Sequence, residues 1–233
     1  MEMNETLCER FREEQERLAA QLTLADSFDI SALKTAAGVD LAYWKENEQE
    51  KAVCCIVVID METHKVLEKQ SFSGDITVPY IPGFLAFREL PLVSGALAKL
   101  ETKPDIFFFD GNGYLHPRHM GLASQASFLL DGSTPTVGVA KTYYRVKGAE
   151  FEMPDEQAGS FTEIVVEGEV CGRVLRTHDG VRPVFVSAGN NITLETAAAL
   201  ALRLTDKESH IPIPTRLADL ETHVAREALR SET

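Results

Sequence analysis

The chain predicts an α/β fold: a mixed sheet, an antiparallel meander beside parallel strands, flanked by helices. Three observations carry that expectation. Ile106-Phe107-Phe108-Phe109 is a wholly apolar run between Pro104 and Gly111, too short for a helix, which marks a strand buried on both faces. Earlier, three strand-like segments follow one another across short polar turns, as in a meander. Around them the apolar spacing changes to the three-and-four repeat of helices that cover a sheet. With 233 residues, a single domain spanning 1–233 can bury a full core.

Taken in order, Asn4–Leu22 places Leu7, Phe11, Leu18 and Leu22 on one stripe and reads as a packing helix. Thr35–Tyr43, Ala52–Asp60 and Lys65–Ser73 read as the three meander strands, with Lys45–Lys51 and Met61–His64 as turns. Asp40 lies inside the first strand, where a carboxylate needs a cationic partner or a metal. In Val78–Glu89, two prolines hold Tyr80-Ile81 extended and stiff. Pro82 is expected to open one helix and Pro91 a second, which puts Glu89 at the break between them. Asp110 ends the central strand and is followed by Gly111-Asn112-Gly113. A carboxylate with glycines at a strand's end is where open α/β sheets place their chemistry; an Asp capping a glycine turn is the plainer reading.

His119–Leu130 reads as a helix and Thr136–Ala140 as another buried strand that runs into Lys141. Phe161–Val166 and Glu169–Arg176 form a hairpin across Glu167-Gly168, and Val184–Ser187 is the last strand. A helix through Ala197–Leu204 follows. The final helix begins near Pro212, with Asp219 one turn in and Leu217, Leu220 and Val224 expected toward the core. Carboxylates on the first and fourth strands of such a chain give a ribonuclease H-like arrangement, in which converging acids repel one another until divalent cations arrive.

Composition excludes several classes. The longest apolar run is far short of a membrane span, and the Glu- and Arg-rich first twenty residues lack the apolar core of a signal peptide. Cys8, Cys54, Cys55 and Cys171 show no CxxC spacing and read as reduced thiols in a cytoplasmic protein. A net charge of −13 argues against a polyanionic partner, but its distribution matters. Residues 1–50 hold 12 acidic and 5 basic side chains and residues 150–169 hold 7 acidic and none basic. Residues 80–149 hold 7 basic and 5 acidic, so a phosphate backbone would meet a mildly basic middle.

Six segments occur in sequence: AGVDLAYW, PYIPGFLAFRE, KPDIFFFDGNGYLHPRHMGLAS, PTVGVAK, VSAGNNITLETA and IPTRLAD. Together, from about residue 8 to 224, they resemble the endonuclease V family, repair nucleases that recognise deaminated purines. The resemblance implies that Asp40 and Asp110 bind the catalytic divalent metal, with Glu89 completing the carboxylate set. Asp219 lies where the family places a further acidic or histidine residue near the metal. Mg2+ is the implied ion, with Mn2+ as a substitute. His116 and Lys141 are implied near the scissile phosphate and join the catalytic group. Pro79, Tyr80, Ile81 and Pro82 form the implied wedge, Tyr80 filling the gap left by an extruded base. Gly83, Leu85, Gly111 and Leu122 correspond to the lining of the base pocket. Three positions depart from the family pattern: Gln125 and Asn190 stand where members usually have His, and Ser127 replaces a usual Gly.

The implied activity is hydrolysis of the second phosphodiester bond 3′ to deoxyinosine in double- or single-stranded DNA. Cleavage of inosine-containing RNA and non-catalytic binding of deaminated nucleic acid are the alternatives. No membrane and no obligate protein partner is implied. Each site residue also has a structural reading: Tyr80 packed under its loop, His116 bonded within its own loop, Lys141 solvated, each acid in a salt bridge.

Overall fold

The computed structural model of the chain describes residues 2–231. Its strands are β1 (Thr35–Glu46), β2 (Gln49–Asp60), β3 (Val66–Asp75), β4 (Ile106–Asp110), β5 (Thr136–Ala140), β6 (Ala149–Glu150), β7 (Phe161–Val166), β8 (Glu169–Leu175) and β9 (Val184–Asn190). They form one nine-stranded sheet in the order β3-β2-β1-β4-β5-β9-β8-β7-β6. The helices are α1 (Glu2–Ala19), α2 (Leu85–Leu97), α3 (Leu122–Ala126), α4 (Leu194–Arg203) and α5 (Ile213–Ser231). The expected meander is present, and β4 pairs in parallel with β1 on one side and β5 on the other. The last strand, β9, runs antiparallel to β5, so the parallel part of the sheet is only β1, β4 and β5. Among the described residues, no helix is long and apolar enough to cross a membrane.

Strand alternation sorts the core into two layers. Ala36, Ile106 and Phe108 face one side with Ile213 and Ala218 of α5. Ala37, Val39, Phe107 and Phe109 face the other, with Ala86, Val93 and Ala96 of α2. Cys54 and Cys55 are accordingly buried on opposite faces. In the parallel register Gly38 lies beside Phe108 and Val39 beside Phe109. Asp40 and Asp110, one residue further on, therefore end up next to each other where the paired stretch ends.

Two tight turns close the hairpins; the first extends β1 and β2 beyond their expected ends, and the second lies at Glu167-Gly168 as expected. Asn47 and Glu48 both take positive φ (47° and 68°), as do Glu167 and Gly168 (52° and 87°), the type I′ pattern that matches strand twist. The polar turn expected over Lys45–Lys51 thus shrinks to two residues.

Three helix expectations need correction. Pro91 does not start a second helix; it sits inside α2, and Glu89 lies in mid-helix rather than at a break. Proline there gives up one bond to the carbonyl four residues back. The buried stripe Ala86, Glu89, Val93, Ala96 continues through it, and packing outweighs the missing bond. The helix expected over His119–Leu130 shortens to α3 plus a single 3₁₀ turn at Ser127–Leu129. On α5, Leu220 and Val224 are 53% and 65% exposed; Thr215, Ala218 and Thr222 make the buried stripe, with Leu217 partly buried.

A missing side chain sets the position of α5. A Cβ on Gly38 would lie 1.9 Å from the Pro214 carbonyl oxygen and 2.5 Å from the Thr215 nitrogen. Only glycine at this point of β1 lets the start of α5 rest on the strand's backbone, which brings Asp219 to the strand ends.

Candidate active site

Three carboxylates converge from three elements: Asp40 from β1, Asp110 from the end of β4 and Asp219 from α5. One oxygen from each lies within 4.8 Å of the others. Lys141, the residue after β5, stands between them, its Nζ 2.7 Å from Asp110 Oδ2 and 2.8 Å from Asp219 Oδ1. Without that ammonium, three acids so close would be strongly disfavoured. Burial, with the Asp110 charge beside it, pushes the Asp40 carboxyl up to about 8. Asp40 therefore keeps its proton near neutral pH and donates it to Asp219. Burial also raises Asp110, partly offset by its bond from Lys141. Burial acts in the same direction on Asp219, yet its bonds from Lys141 and Asp40 outweigh it and hold it below the ordinary range. Burial disfavours the Lys141 charge, but its two carboxylate bonds prevail and raise its pKa. Hard oxygen donors at this spacing suit a small divalent cation.

Glu89 approaches from the α2 face of the sheet, outside that close triad. It is almost fully buried, and burial raises its carboxyl to about 7 against the opposing bond from the Tyr43 hydroxyl. That hydroxyl donates to Glu89 Oε1 at 2.5 Å. Arg88 fixes the surroundings: its guanidinium lies 4.9 Å over the Tyr43 ring, donates to the Val78 carbonyl at 2.8 Å and pairs with Glu50. One buried arginine thus ties the segment before Tyr80 to the residue that holds Glu89.

Beside the triad opens a cavity of about 330 Å³ lined by Tyr80, Gly83, Leu85, Gly111, His116, Leu122, Asp110 and Lys141, all picked out in the sequence. Met120, Tyr144 and Ala140 line it as well and were not foreseen. Gly111 has φ +154°, and the Gly111–Gly113 loop lies so close to β5 that a Cβ on Gly138 would sit 2.4 Å from the Gly113 nitrogen. At the rim, Phe84 N donates to Ile81 O at 3.0 Å across Pro82 and Gly83, whose φ is +83°. Proline then glycine with positive φ is the type II signature. The turn leaves Tyr80 62% exposed rather than packed under its loop.

His116 is buried between its own loop and the turn at Gly83. Its Nδ1 accepts from the Arg118 and Met120 amides (3.2 and 3.3 Å), so Nε2 carries the proton and donates to the Gly83 carbonyl at 3.1 Å. Burial, then the Arg118 charge, lower its pKa to about 4, so the ring is neutral. Both nitrogens are bonded to backbone groups.

The residue that sequence reading missed is Gln15. It lies on the helix read as mere packing, yet it is fully buried. Its amide donates to the carbonyls of Gly83 and Met120 (3.2 and 3.3 Å) and to Gln125 (3.2 Å), while its Oε1 accepts from Arg118 Nε at 2.6 Å. Arg118 also donates to the Gly83 carbonyl at 2.8 Å. That carbonyl, on the cavity wall, is thus held by Gln15, His116 and Arg118 together. A polar residue on an otherwise amphipathic helix gives no signal of this, because its partners are 68 to 110 residues away. The departures from the family pattern belong to the same scaffold. Gln125 bonds Gln15, and Asn190 Nδ2 donates to Ser127 Oγ at 3.1 Å while Asn190 Oδ1 accepts from Thr23 N at 2.8 Å. These contacts brace α3, β9 and the residues after α1, and none reaches the triad.

Comparison with known proteins places the chain beside a known family. The family model for endonuclease V matches residues 16–220. The endonuclease V of Bacillus thuringiensis subsp. konkukian is 51% identical over 223 residues, 96% of this chain and 94% of that protein. The crystal structure of Bacillus subtilis endonuclease V superposes with a TM-score of 0.91 at 48% identity, covering 96% of this chain and 93% of that one. Ciona intestinalis endonuclease V, in complex with a 24mer DNA containing an inosine followed by a ribo-adenosine, superposes with a TM-score of 0.84. It is 28% identical, covering 98% and 100% of the two chains.

Proposed function

The chain belongs to the endonuclease V family, and from that premise we propose that it is a divalent-metal-dependent endonuclease acting on deoxyinosine in DNA. The bond hydrolysed is the second phosphodiester 3′ to the lesion. The observation that carries this reading is the contiguity of the Asp40–Asp110–Asp219 triad and Lys141 with a base-sized cavity whose rim presents Tyr80. The Ciona relative bound to inosine-containing DNA supports the substrate class.

Asp40, Asp110 and Asp219 are the residues that would hold the ion, Mg2+ or Mn2+, with Glu89 behind them. An ion there would supply Lewis-acid contact to a phosphate oxygen and make a bound water more acidic. The protein's own groups do the rest. Lys141, at the edge of the triad, would offer its charge to the phosphate as negative charge builds on it. Tyr80 enters the stack where the lesion leaves it, stiffened by Pro79 and Pro82. Gly83 and Gly111 bring main-chain groups to the edge of the extruded base, with Leu85 and Leu122 as its apolar walls. A close fit there penalises the exocyclic amine of guanine, which would find no partner. The part of His116 is to hold the Gly83 carbonyl, not to contact phosphate.

A nicking assay on duplex carrying one deoxyinosine, with and without Mg2+, tests this reading, with product mapping at single-nucleotide resolution. Cutting at the second bond 3′ to the lesion, Mg2+-dependent and lost in Asp110→Asn and Asp40→Asn, is the expected result. Equal cutting of an inosine-free duplex, or full activity in either variant, overturns it. A matched RNA oligonucleotide in the same assay separates the ribonuclease reading.

A further inference from the structure

Away from the carboxylate triad, the loop after β4 meets the start of β8 and brings an imidazole, a carboxylate and a thiol together. His119 Nε2 lies 3.7 Å from Glu169 Oε2, and with Cys171 Sγ the three donors fall within 4.8 Å of one another. We propose that His119, Glu169 and Cys171 form a second metal site, for a transition-metal ion of the Zn2+ class.

The donor set separates the two centres. Asp40, Asp110 and Asp219 offer only hard oxygens, whereas nitrogen, sulfur and oxygen together select a borderline ion. Zn2+ binds sulfur near 2.3 Å and nitrogen near 2.0 Å, so tetrahedral ligands stand roughly 3.3–3.8 Å apart. The His119–Glu169 separation already lies in that range, and the Cys171 thiol, within 4.8 Å of both, is the ligand that an ion would have to draw in.

Contacts around the three residues orient them as metal ligands are oriented. His119 Nδ1 donates to the Tyr114 carbonyl at 3.2 Å, which puts the proton on Nδ1 and turns the Nε2 lone pair toward Glu169. Its ring stacks on Tyr114 with centroids 3.9 Å apart. The Tyr114 hydroxyl donates to Glu169 Oε1 at 2.7 Å and leaves Oε2 available. Holding a ligating imidazole by its second nitrogen, and a carboxylate by its second oxygen, is how metal sites fix their first ligands. Glu169 and Cys171 lie two apart on β8, and a register shift in the β7–β8 ladder leaves Cys171 without a paired residue on β7. His119 itself has φ +56°, a left-handed backbone that a non-glycine residue adopts at some cost.

Access and charge fit the same ligand. A cleft of about 440 Å³ reaches His119 and Glu169, and Glu167 also faces it, so two carboxylates stand against the single Lys147 ammonium. Cys171 is a free thiol that donates to the Glu169 carbonyl at 3.6 Å. On binding it gives its proton to solvent and that weak bond is lost, while the ion tethers the Tyr114–His119 segment to β8.

The test uses the full-length protein, stripped with a chelator and titrated with Co2+ as a spectroscopic stand-in and with Zn2+. The expected result is a sulfur-to-cobalt charge-transfer band in the near ultraviolet that saturates at one equivalent and is displaced by Zn2+. In Cys171→Ser the band disappears, and in His119→Gln it requires at least ten-fold more Co2+. Absence of the band in the folded parent overturns the proposal, as does an undiminished band in folded Cys171→Ser. If Cys171→Ser melts below the assay temperature, His119→Gln decides alone: parent-like Co2+ affinity leaves only a His119–Glu169 ion pair.

Discussion

Stripped of divalent metal, the protein should lose stability as pH rises from 6.5 to 8. The folded Asp40 carboxyl titrates at about 8 and Glu89 at about 7, against ordinary values of 3.8 and 4.5. Throughout this window the unfolded chain has released both protons, whereas the folded chain gives them up only as pH passes about 7 and 8. Stability then falls with pH, because the folded state binds the excess protons. Integration from pH 6.5 to 8 gives about 1.6 kcal/mol for Asp40 and about 0.8 kcal/mol for Glu89, together about 2 kcal/mol. The window is chosen around His116, whose folded pKa of about 4 lies below the ordinary 6.5. That shift works in the opposite direction, but its effect is nearly complete above pH 6.5. For a chain of this size about 2 kcal/mol corresponds to a fall of roughly 4–8 °C in Tm. Scanning calorimetry in chelator at pH 6.5 and 8 measures it. Asp40→Asn should remove most of the slope, and saturating Mg2+ should flatten it by binding the ionised triad. A metal-free Tm that stays level or rises across the window refutes the reasoning, as does a full slope in Asp40→Asn.

Other expectations follow from single contacts. Tyr80→Ala should weaken binding to inosine-containing duplex by about ten-fold, from a stacking contribution of roughly 1–3 kcal/mol, with less loss on single strands. Parent-like duplex affinity would return Tyr80 to an idle surface residue. Gly38→Ala forces a methyl into the Pro214 carbonyl and should cost about 1–3 kcal/mol by overpacking. Because Asp219 rides on α5, calorimetry should show the Tm fall together with a weaker Mg2+ response. Gln15→Leu leaves Arg118 Nε, the Met120 carbonyl and the Gln125 amide oxygen short of a partner and takes one of three donors from the Gly83 carbonyl, a loss of about 1–3 kcal/mol. It should raise KM more than it lowers kcat, since the cavity wall moves and the triad does not; an unchanged KM would sever that link.

The sequence by itself determined eight of the nine strands, all but the two-residue β6, and the acids that stand on them. Ile106–Phe109 can only be satisfied between two apolar layers, and its length and flanking residues leave no helical alternative. Asp40 and Asp110 were legible for the complementary reason: a carboxylate set in an apolar strand is costly unless something pays in charge. Pro82 reads in the sequence as a helix start, but with Gly83 at positive φ it forms the 81–84 turn instead, and α2 begins only at Leu85. Helix limits were less secure. Pro91 and the run after His119 were misjudged because local propensity is a small term that packing of α2 and α3 against the sheet overrides.

Only the tertiary structure decided which of these groups meet. The parallel register of β1 with β4 sets Asp40 beside Asp110, and Gly38 admits α5 so that Asp219 joins them. Folding leaves Glu89 on the opposite face, bonded to Tyr43, and closes both nitrogens of His116 with backbone. It makes Gln15 the support of the Gly83 carbonyl and brings Cys171 to His119. Such pairings depend on through-space distance between residues far apart in the chain. Periodicity and propensity report only what a residue does with its near neighbours, so they carry no record of a partner a hundred residues away.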